Sequence, residues 1–158
     1  MPFTLGGGIN RAQHAAIPHL SLAGTWATGN LFLISRFLMN DANPTASAVY
    51  VTASSDLVLA ATTFPVAPAG CTRVFKFGGT LGTTNNGITV DAQLYNVTTA
   101  AAVAGSQITF IGNADQIAYV ESGEIVLNLA QVYRIQLRAT AVNGVITSGC
   151  INVYAKVS

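Results

Sequence analysis

The stretch Tyr133-Arg-Ile-Gln-Leu-Arg-Ala-Thr-Ala141 decides the fold, because apolar and polar side chains alternate along it without a break. Successive side chains of a β-strand point to opposite faces, so Tyr133, Ile135 and Leu137 share an apolar face. The opposite face carries arginine, glutamine and threonine, as is typical of an antiparallel strand that covers a core on one side. Asn143-Gly144 then supplies a hairpin turn signal. We therefore predict a half-buried strand over 133–141 with a tight turn after it.

The same alternation recurs through most of the chain. Residues 150–157 repeat it, with Ile151 and Val153 on the apolar face. Other short runs rich in Val, Ile, Thr and Tyr lie between Gly, Asn, Pro and Asp clusters, which are typical turn residues. These runs are residues 46–53, 56–61, 72–81, 87–97, 107–111, 116–120 and 124–129. The glycine-rich segment 78–87 lacks the Lys-Ser/Thr of a phosphate-binding loop and is interpreted as a hairpin loop.

About nine short strands without a clear helix predict an all-β protein. The expected architecture is an antiparallel two-sheet sandwich of jelly-roll type, in which successive strands exchange between the sheets. An immunoglobulin-like sandwich is disfavoured, because Trp26 precedes both Cys71 and Cys150 instead of lying between them.

Residues 1–30 have no sustained period of 2 or 3.6 and contain Gly6-Gly7-Gly8 and Pro18. We predict an extended N-terminal arm over 1–30 and a sandwich domain over 31–158. A short helix over 11–17 and an edge strand over Leu31–Met39 are the alternatives for this end of the chain. Scattered apolar side chains of the arm are candidate partner-binding anchors, namely Phe3, Leu5, Ile9, Ile17 and Leu20.

Charged residues make up only 8% of the 158 residues, whereas 51% are hydrophobic, and the formal net charge is +1. Soluble domains carry about 25% charged residues, which keep copies apart in water. The deficit predicts a homo-oligomer within a larger assembly. The few basic residues are dispersed, which disfavours nucleic-acid binding. No apolar run is long enough for a membrane span and no secretion signal is evident, so we expect synthesis in the cytoplasm and no membrane contact.

The sequence offers no constellation typical of catalysis, so we expect no enzyme, no cofactor and no metal site. His14 and His19 lack a nearby Glu or Cys to complete a metal site. Glu121 and Glu124 flank Gly123 and were weighed as a glycosidase pair, but two acids in one turn are predicted to be solvated. The two cysteines are predicted to be buried free thiols, although a disulfide between them stays open.

Five tyrosines keep glycan binding open as an alternative, since β-sandwiches often bind sugars through exposed aromatic rings. A tyrosine in a sandwich strand is more often a core or interface residue. The five are Tyr50, Tyr95, Tyr119, Tyr133 and Tyr154.

A resemblance rests on three segments and the short last strand: Val90-Asp-Ala-Gln-Leu-Tyr-Asn-Val-Thr-Thr99, Gly105-Ser106 and Tyr133-Arg-Ile-Gln-Leu-Arg138. In them the chain resembles the small jelly-roll domains of tailed-phage virion proteins. With its arm it is similar to capsid decoration, or cement, proteins. The resemblance implies a homotrimer on the outer capsid surface of the virion, bound to the major capsid protein and reinforcing the shell. A coat subunit, or a glycan- or receptor-binding module of a phage tail or fibre, is the alternative.

Overall fold

The computed structural model describes residues 28–39, 44–45, 47–59, 64–140 and 144–158. Every regular element within these ranges is a β-strand. In chain order the strands are β1 (Leu31–Met39), β2 (Pro44–Thr45), β3 (Val51–Thr52), β4 (Leu57–Val58), β5 (Cys71–Thr83), β6 (Ile88–Asn96), β7 (Ala101–Ala102), β8 (Ile108–Gly112), β9 (Gln116–Glu121), β10 (Val132–Ala139) and β11 (Gly144–Val157).

The strands form two antiparallel sheets packed face to face. Sheet A has the order β1-β11-β5-β9, and β2 also pairs with β11. Sheet B has the order β3-β10-β6-β7, with β4 on β10 and β8 on β6. The chain passes back and forth between the sheets, and its first and last long strands, β1 and β11, are neighbours. This is the strand order of a jelly roll, so the predicted fold class is confirmed.

The core lies between the sheets and is filled by the apolar faces of the long strands. Tyr133, Ile135 and Leu137 of β10 meet Ile151 and Val153 of β11, and all five are at most 1% exposed. Strand β10 therefore has the predicted phase, although it ends at Ala139 instead of residue 141. The pairing of β5 with β11 runs along almost the whole length of both strands and forms the middle of sheet A.

Two predicted elements are wrong. The segment 124–129 is not a strand, although Ile125 is buried and forms an isolated bridge to Phe75. A side-chain contact holds the segment instead: the Tyr133 hydroxyl accepts from the Asn128 backbone N–H at 2.9 Å and donates to its carbonyl at 3.1 Å.

The predicted loop over 78–87 is wrong as well, because β5 continues to Thr83 and the turn comprises only residues 84–87. The glycines in this part of β5 leave room for side chains of other strands. A Cβ on Gly79 would come within 2.8 Å of Ile146 Cδ1, and one on Gly78 would overlap the Tyr119 hydroxyl. The glycines therefore allow side chains of neighbouring strands to pack closely against β5.

The predicted arm lies almost entirely outside the described residues, and so do its five anchors, both histidines and Trp26. The division at residue 30 and the partner-binding anchors stay predictions, and the helix over 11–17 also falls outside. Of the arm, residues 28–30 are described. Gly29 N–H donates to the Val157 carbonyl at 2.9 Å, and Val157 N–H donates to the Asn30 carbonyl at 3.0 Å. The strand over Leu31–Met39 is confirmed and forms one edge of sheet A.

Candidate functional site

The outer face of sheet A carries a polar cluster that strand alternation places there. Ile151 and Val153 of β11 point into the core, so Asn152 between them points outward. Asn152 nevertheless is 0% exposed, because side chains of β1, β5 and β9 close over it. A residue on the outer face of a sheet is usually exposed. The complete burial of Asn152 therefore shows that neighbouring side chains form an ordered cluster over it.

Asn152 is the centre of this structure, and its amide is hydrogen-bonded on both sides. Its Oδ1 accepts from Arg36 Nε at 2.8 Å. Its Nδ2 donates to Tyr119 Oη at 2.5 Å and to Glu121 Oε1 at 2.6 Å. A buried amide is tolerated when its donors and acceptor are satisfied in this way. The amide thereby fixes the positions of three side chains from two other strands.

Glu121, at the end of β9, is the anionic member. Its Oε1 also accepts from the Tyr154 hydroxyl at 2.6 Å, and its Oε2 lies 3.4 Å from Lys76 Nζ. Burial alone would raise the pKa of Glu121, but the hydrogen bonds from Tyr154 and Asn152 and the charge of Lys76 outweigh it and hold the pKa below its usual value. The carboxylate is therefore a fixed charge.

The prediction that Glu121 is a solvated turn residue is wrong, because four side chains surround its carboxylate. Glu124 does lie beyond the strand, half-exposed, and accepts from Lys156 Nζ at 2.8 Å. Glu121 and Glu124 thus form ion pairs with different lysines, Lys76 and Lys156.

Tyr119 provides an aromatic surface on this face. Its ring leans from β9 across β5, so that its hydroxyl lies over Gly78, where any side chain would overlap it. The Arg36 guanidinium carbon lies 5.4 Å from the ring centroid. Burial of the hydroxyl and its contact with Cys150 raise the pKa of Tyr119 to about 12. The hydroxyl end is therefore anchored, while the residue as a whole stays 46% exposed.

We call these six side chains the Glu121 cluster: Arg36, Lys76, Tyr119, Glu121, Asn152 and Tyr154. Lys76 Nζ lies 5.4 Å from the Tyr154 ring centroid. Burial and the hydrogen bond to Glu121 raise the pKa of Tyr154, so both phenols are neutral near pH 7. Two cations and one carboxylate give the cluster a net charge of +1. Exposed Leu38 and Ile117 border it on the two edge strands of sheet A.

The nearby Cys150 is buried, and burial raises the pKa of its thiol, which keeps it protonated. Cys150 and Cys71 are both free, as predicted, although Cys71 is only half-buried. No group of three metal-ligating side chains occurs within the described ranges. In the same part of the chain, no helix has the length and apolar character to cross a membrane.

The outer face of sheet B carries a smaller polar group. Asp91 accepts from Arg138 Nε at 2.8 Å and from the Thr109 hydroxyl at 2.6 Å. The Arg138 guanidinium carbon also lies 4.6 Å from the Tyr50 ring centroid. Arg138, Asp91 and Thr109 are register neighbours on β10, β6 and β8, so their contacts join the three strands of the sheet.

Sequence reasoning singled out Tyr119, Tyr154 and Glu121 separately and did not bring them together. It missed Arg36, Lys76 and Asn152 as cluster members. The sequence pattern that points to this site is the alternation in β11, where asparagine, tyrosine and lysine alternate with core residues and therefore share the outer face. The predicted arm anchors lie outside the described residues.

Comparison with known proteins supplies no family. No family model matches the sequence, and no curated protein matches it. One similar solved structure is a carbohydrate-binding module of lichenase 5A from Cellvibrio mixtus in complex with cellotriose, at 13% identity and a TM-score of 0.36, covering 77% of this chain and 98% of the module. Another is the VP2 subviral particle of infectious bursal disease virus, at 12% identity and a TM-score of 0.24, covering 84% of this chain and 43% of VP2. Neither is a phage decoration protein, and the resemblance to that family stays a prediction.

Proposed function

We propose that this chain is a non-catalytic structural subunit that assembles with copies of itself, most simply as a trimer. In a virion it would dock on the major capsid protein at the outer surface as a decoration or cement subunit. The observation that carries the proposal is the mutual neutralisation of its charged side chains. Eleven charged residues lie in the described part of the chain, and four ion pairs join eight of them.

This neutralisation leaves almost no electrostatic repulsion between copies. Three charges remain. Arg73 donates to the Pro65 carbonyl and stacks near two phenylalanine rings, Arg36 belongs to the Glu121 cluster, and Asp115 is exposed. A surface with so little uncompensated charge favours association. We therefore expect copies of the chain to associate.

Exposed apolar side chains support the same conclusion. Leu38 and Ile117 project from the outer face of sheet A, Ile111 from that of sheet B, and Val126 is 91% exposed. Burying apolar surface contributes about 25 cal/mol per Å². Contacts on both outer faces would allow each copy to meet more than one neighbour.

Light scattering coupled to size-exclusion chromatography tests the assembly. The full chain at micromolar concentration should give one oligomeric species. If the outer face of sheet A forms the contact between copies, Ile117→Lys should shift the chain towards the monomer. If the outer face of sheet B forms it, Ile111→Lys should do so. A matched control is Leu137→Val, which alters only the core. A monomer at every concentration would refute the proposal. The virion role is tested by co-sedimentation of the chain with heads of the phage that encodes it.

A second candidate function is saccharide binding on the outer face of sheet A. The observation that favours it is the Tyr119 ring, anchored by its hydroxyl and exposed on the sheet. Apolar faces of sugar rings stack on such aromatic surfaces, and polar groups nearby fix the hydroxyls. A glycan array distinguishes the two functions, because a pure assembly protein would retain no saccharide.

A further inference from the structure

We propose that the Glu121 cluster binds a saccharide that carries a carboxylate, with the sugar ring on Tyr119 and the carboxylate on the Arg36 guanidinium. This inference rests on the second candidate function, saccharide binding, and names its ligand class and its specificity residue.

Two cations of the described residues, Arg36 and Arg73, have no carboxylate within 4 Å. Arg73 donates to the Pro65 carbonyl and lies near two phenylalanine rings. Lys76, Arg134, Arg138 and Lys156 each have a carboxylate within 4 Å. Arg36 instead donates its Nε to the neutral amide of Asn152. Among the described residues, no carboxylate therefore lies beside its positive charge.

The geometry of Arg36 suits a carboxylate ligand. A guanidinium has five donors, and the hydrogen bond to Asn152 uses only the one at Nε. The terminal nitrogens form a planar fork that matches the two oxygens of a carboxylate. Because Nε is anchored to a completely buried amide, the fork is oriented before any ligand arrives, which lowers the entropic cost of binding.

Glu121 does not occupy this fork, because its own partners hold it elsewhere. Tyr154, Asn152 and Lys76 surround its two oxygens. The Asn152 amide lies between Glu121 and Arg36 and bonds both. The paired Lys76 and Glu121 cancel, so the net charge of the cluster is that of Arg36. A ligand with one negative charge complements it.

The sugar ring is assigned to Tyr119 on position. The guanidinium carbon lies over the Tyr119 ring, 5.4 Å from its centroid, and Tyr119 is still 46% exposed. A sugar ring that packs on the exposed part of Tyr119 therefore brings its carboxylate substituent beside Arg36. Neutral hydroxyls of the same sugar can meet the Lys76 and Glu121 side chains at the other end of the cluster. A uronic acid unit or a sialic acid combines these features.

The test uses isothermal titration of the full chain with matched pairs of saccharides. One pair is an oligoglucuronate and the glucose oligomer of the same linkage, and the other is sialyllactose and lactose. We expect the acidic member of a pair to bind at least about tenfold more tightly, with an affinity that falls as salt is added. Arg36→Gln should remove the preference for the acidic member, and Tyr119→Ala should abolish binding of both.

Arg134→Gln is the matched control, because Arg134 pairs with Asp56 on the outer face of sheet B and should leave binding unchanged. Near-ultraviolet circular dichroism checks that each variant is folded, and the salt dependence of the unaltered chain needs no variant. Equal affinity for both members of each pair, or an unchanged preference in folded Arg36→Gln, would overturn the inference while saccharide binding stands. Failure of all four saccharides to bind would overturn both.

Discussion

Asn152 donates to Glu121 Oε1 at 2.6 Å although β5 lies between the strands that carry the two residues. The same amide also reaches Arg36 on the opposite neighbouring strand. Lys76 of β5 pairs with Glu121, so side chains join all four strands β1, β11, β5 and β9 in addition to the backbone ladder. Because buried polar networks stabilise a fold only when all members are satisfied, changes within this cluster should be coupled to one another.

The first prediction concerns Glu121 and pH. Its lowered pKa means that the ionised form stabilises the folded state. That contribution is complete above the usual pKa of glutamate, about 4.3, and is lost as the pH falls through the lower native value. Glu121→Gln should therefore cost about 1–3 kcal/mol near neutral pH, since it removes hydrogen bonds to a charge. The difference from the unaltered chain should narrow towards about pH 3.

Urea unfolding at the two pH values measures this difference. Glu124→Gln is the control, because Glu124 is half-exposed and pairs only with Lys156, so its loss should have a small effect. A Glu121→Gln effect that is independent of pH would contradict a stabilising charge at this position.

A second prediction concerns the close approach of Tyr119 to Gly78. A Cβ at residue 78 would overlap the Tyr119 hydroxyl, so Gly78→Ala should push the ring away from Asn152 and destabilise the fold by about 1–2 kcal/mol. In a Tyr119→Ala background the main obstacle is absent, and only Asn152 Nδ2, 3.2 Å from that Cβ, has to shift slightly. The same alanine should then cost much less, because alanine also restricts the unfolded chain more than glycine does.

The control for this cycle is Gly149→Ala, whose Cβ would overlap Ile135 Cδ1 in the core. Tyr119→Ala should not rescue it. Additive effects of Gly78→Ala and Tyr119→Ala in denaturant titrations would show that the ring does not rest on Gly78.

The fold could be predicted largely because alternation fixes which face of each strand is buried. Strand β10 and its core residues Ile135 and Leu137 follow directly from that pattern. The segment around Ile125 could not be separated from a strand, since its apolar residues also alternate. Two contacts place it: the hydrogen bonds of Asn128 to the Tyr133 hydroxyl and the isolated bridge of Ile125 to Phe75. Periodicity alone does not contain either contact.

The Glu121 cluster was less accessible from sequence, because its members are far apart in the chain. Arg36 and Asn152 are 116 residues apart and meet only through the pairing of β1 with β11. Periodicity identifies which residues face outward, but it does not determine the register between strands. The glycine at 78 is informative only once the ring of Tyr119 is known to cross it.

A third prediction compares the two faces of β10. Leu137→Ala should destabilise by about 2–5 kcal/mol, because Leu137 is completely buried. For an arginine on the outward face of a strand, alternation alone predicts a cost of about 0.5 kcal/mol or less for Arg138→Ala. The structure raises this expectation to about 1–3 kcal/mol, because Arg138→Ala leaves Asp91, with only 9% of its side chain exposed, without its cation.

Arg134→Ala tests that distinction on the same strand face. Its partner Asp56 has 44% of its side chain exposed, so the loss should be about 0–1 kcal/mol. Chemical denaturation of the three variants would give the order Leu137, Arg138, Arg134. Equal costs for the two arginines would mean that burial of Asp91 does not matter to stability.

The last prediction concerns the proposed N-terminal arm. Deleting residues 1–28 keeps Gly29 and Asn30, whose hydrogen bonds with Val157 extend the edge of sheet A. The truncated chain should therefore keep its β-sheet circular dichroism. It should lose attachment to its partner or neighbouring subunit, because the apolar anchors from Phe3 to Leu20 are gone. Ordering such a segment on binding costs entropy, so the anchors must contribute more than that cost, and their absence should appear mainly as faster dissociation. Co-sedimentation and dissociation kinetics of the same sample measure this. Undiminished attachment would show that the arm is dispensable, and loss of the β signal would place it in the core of the domain.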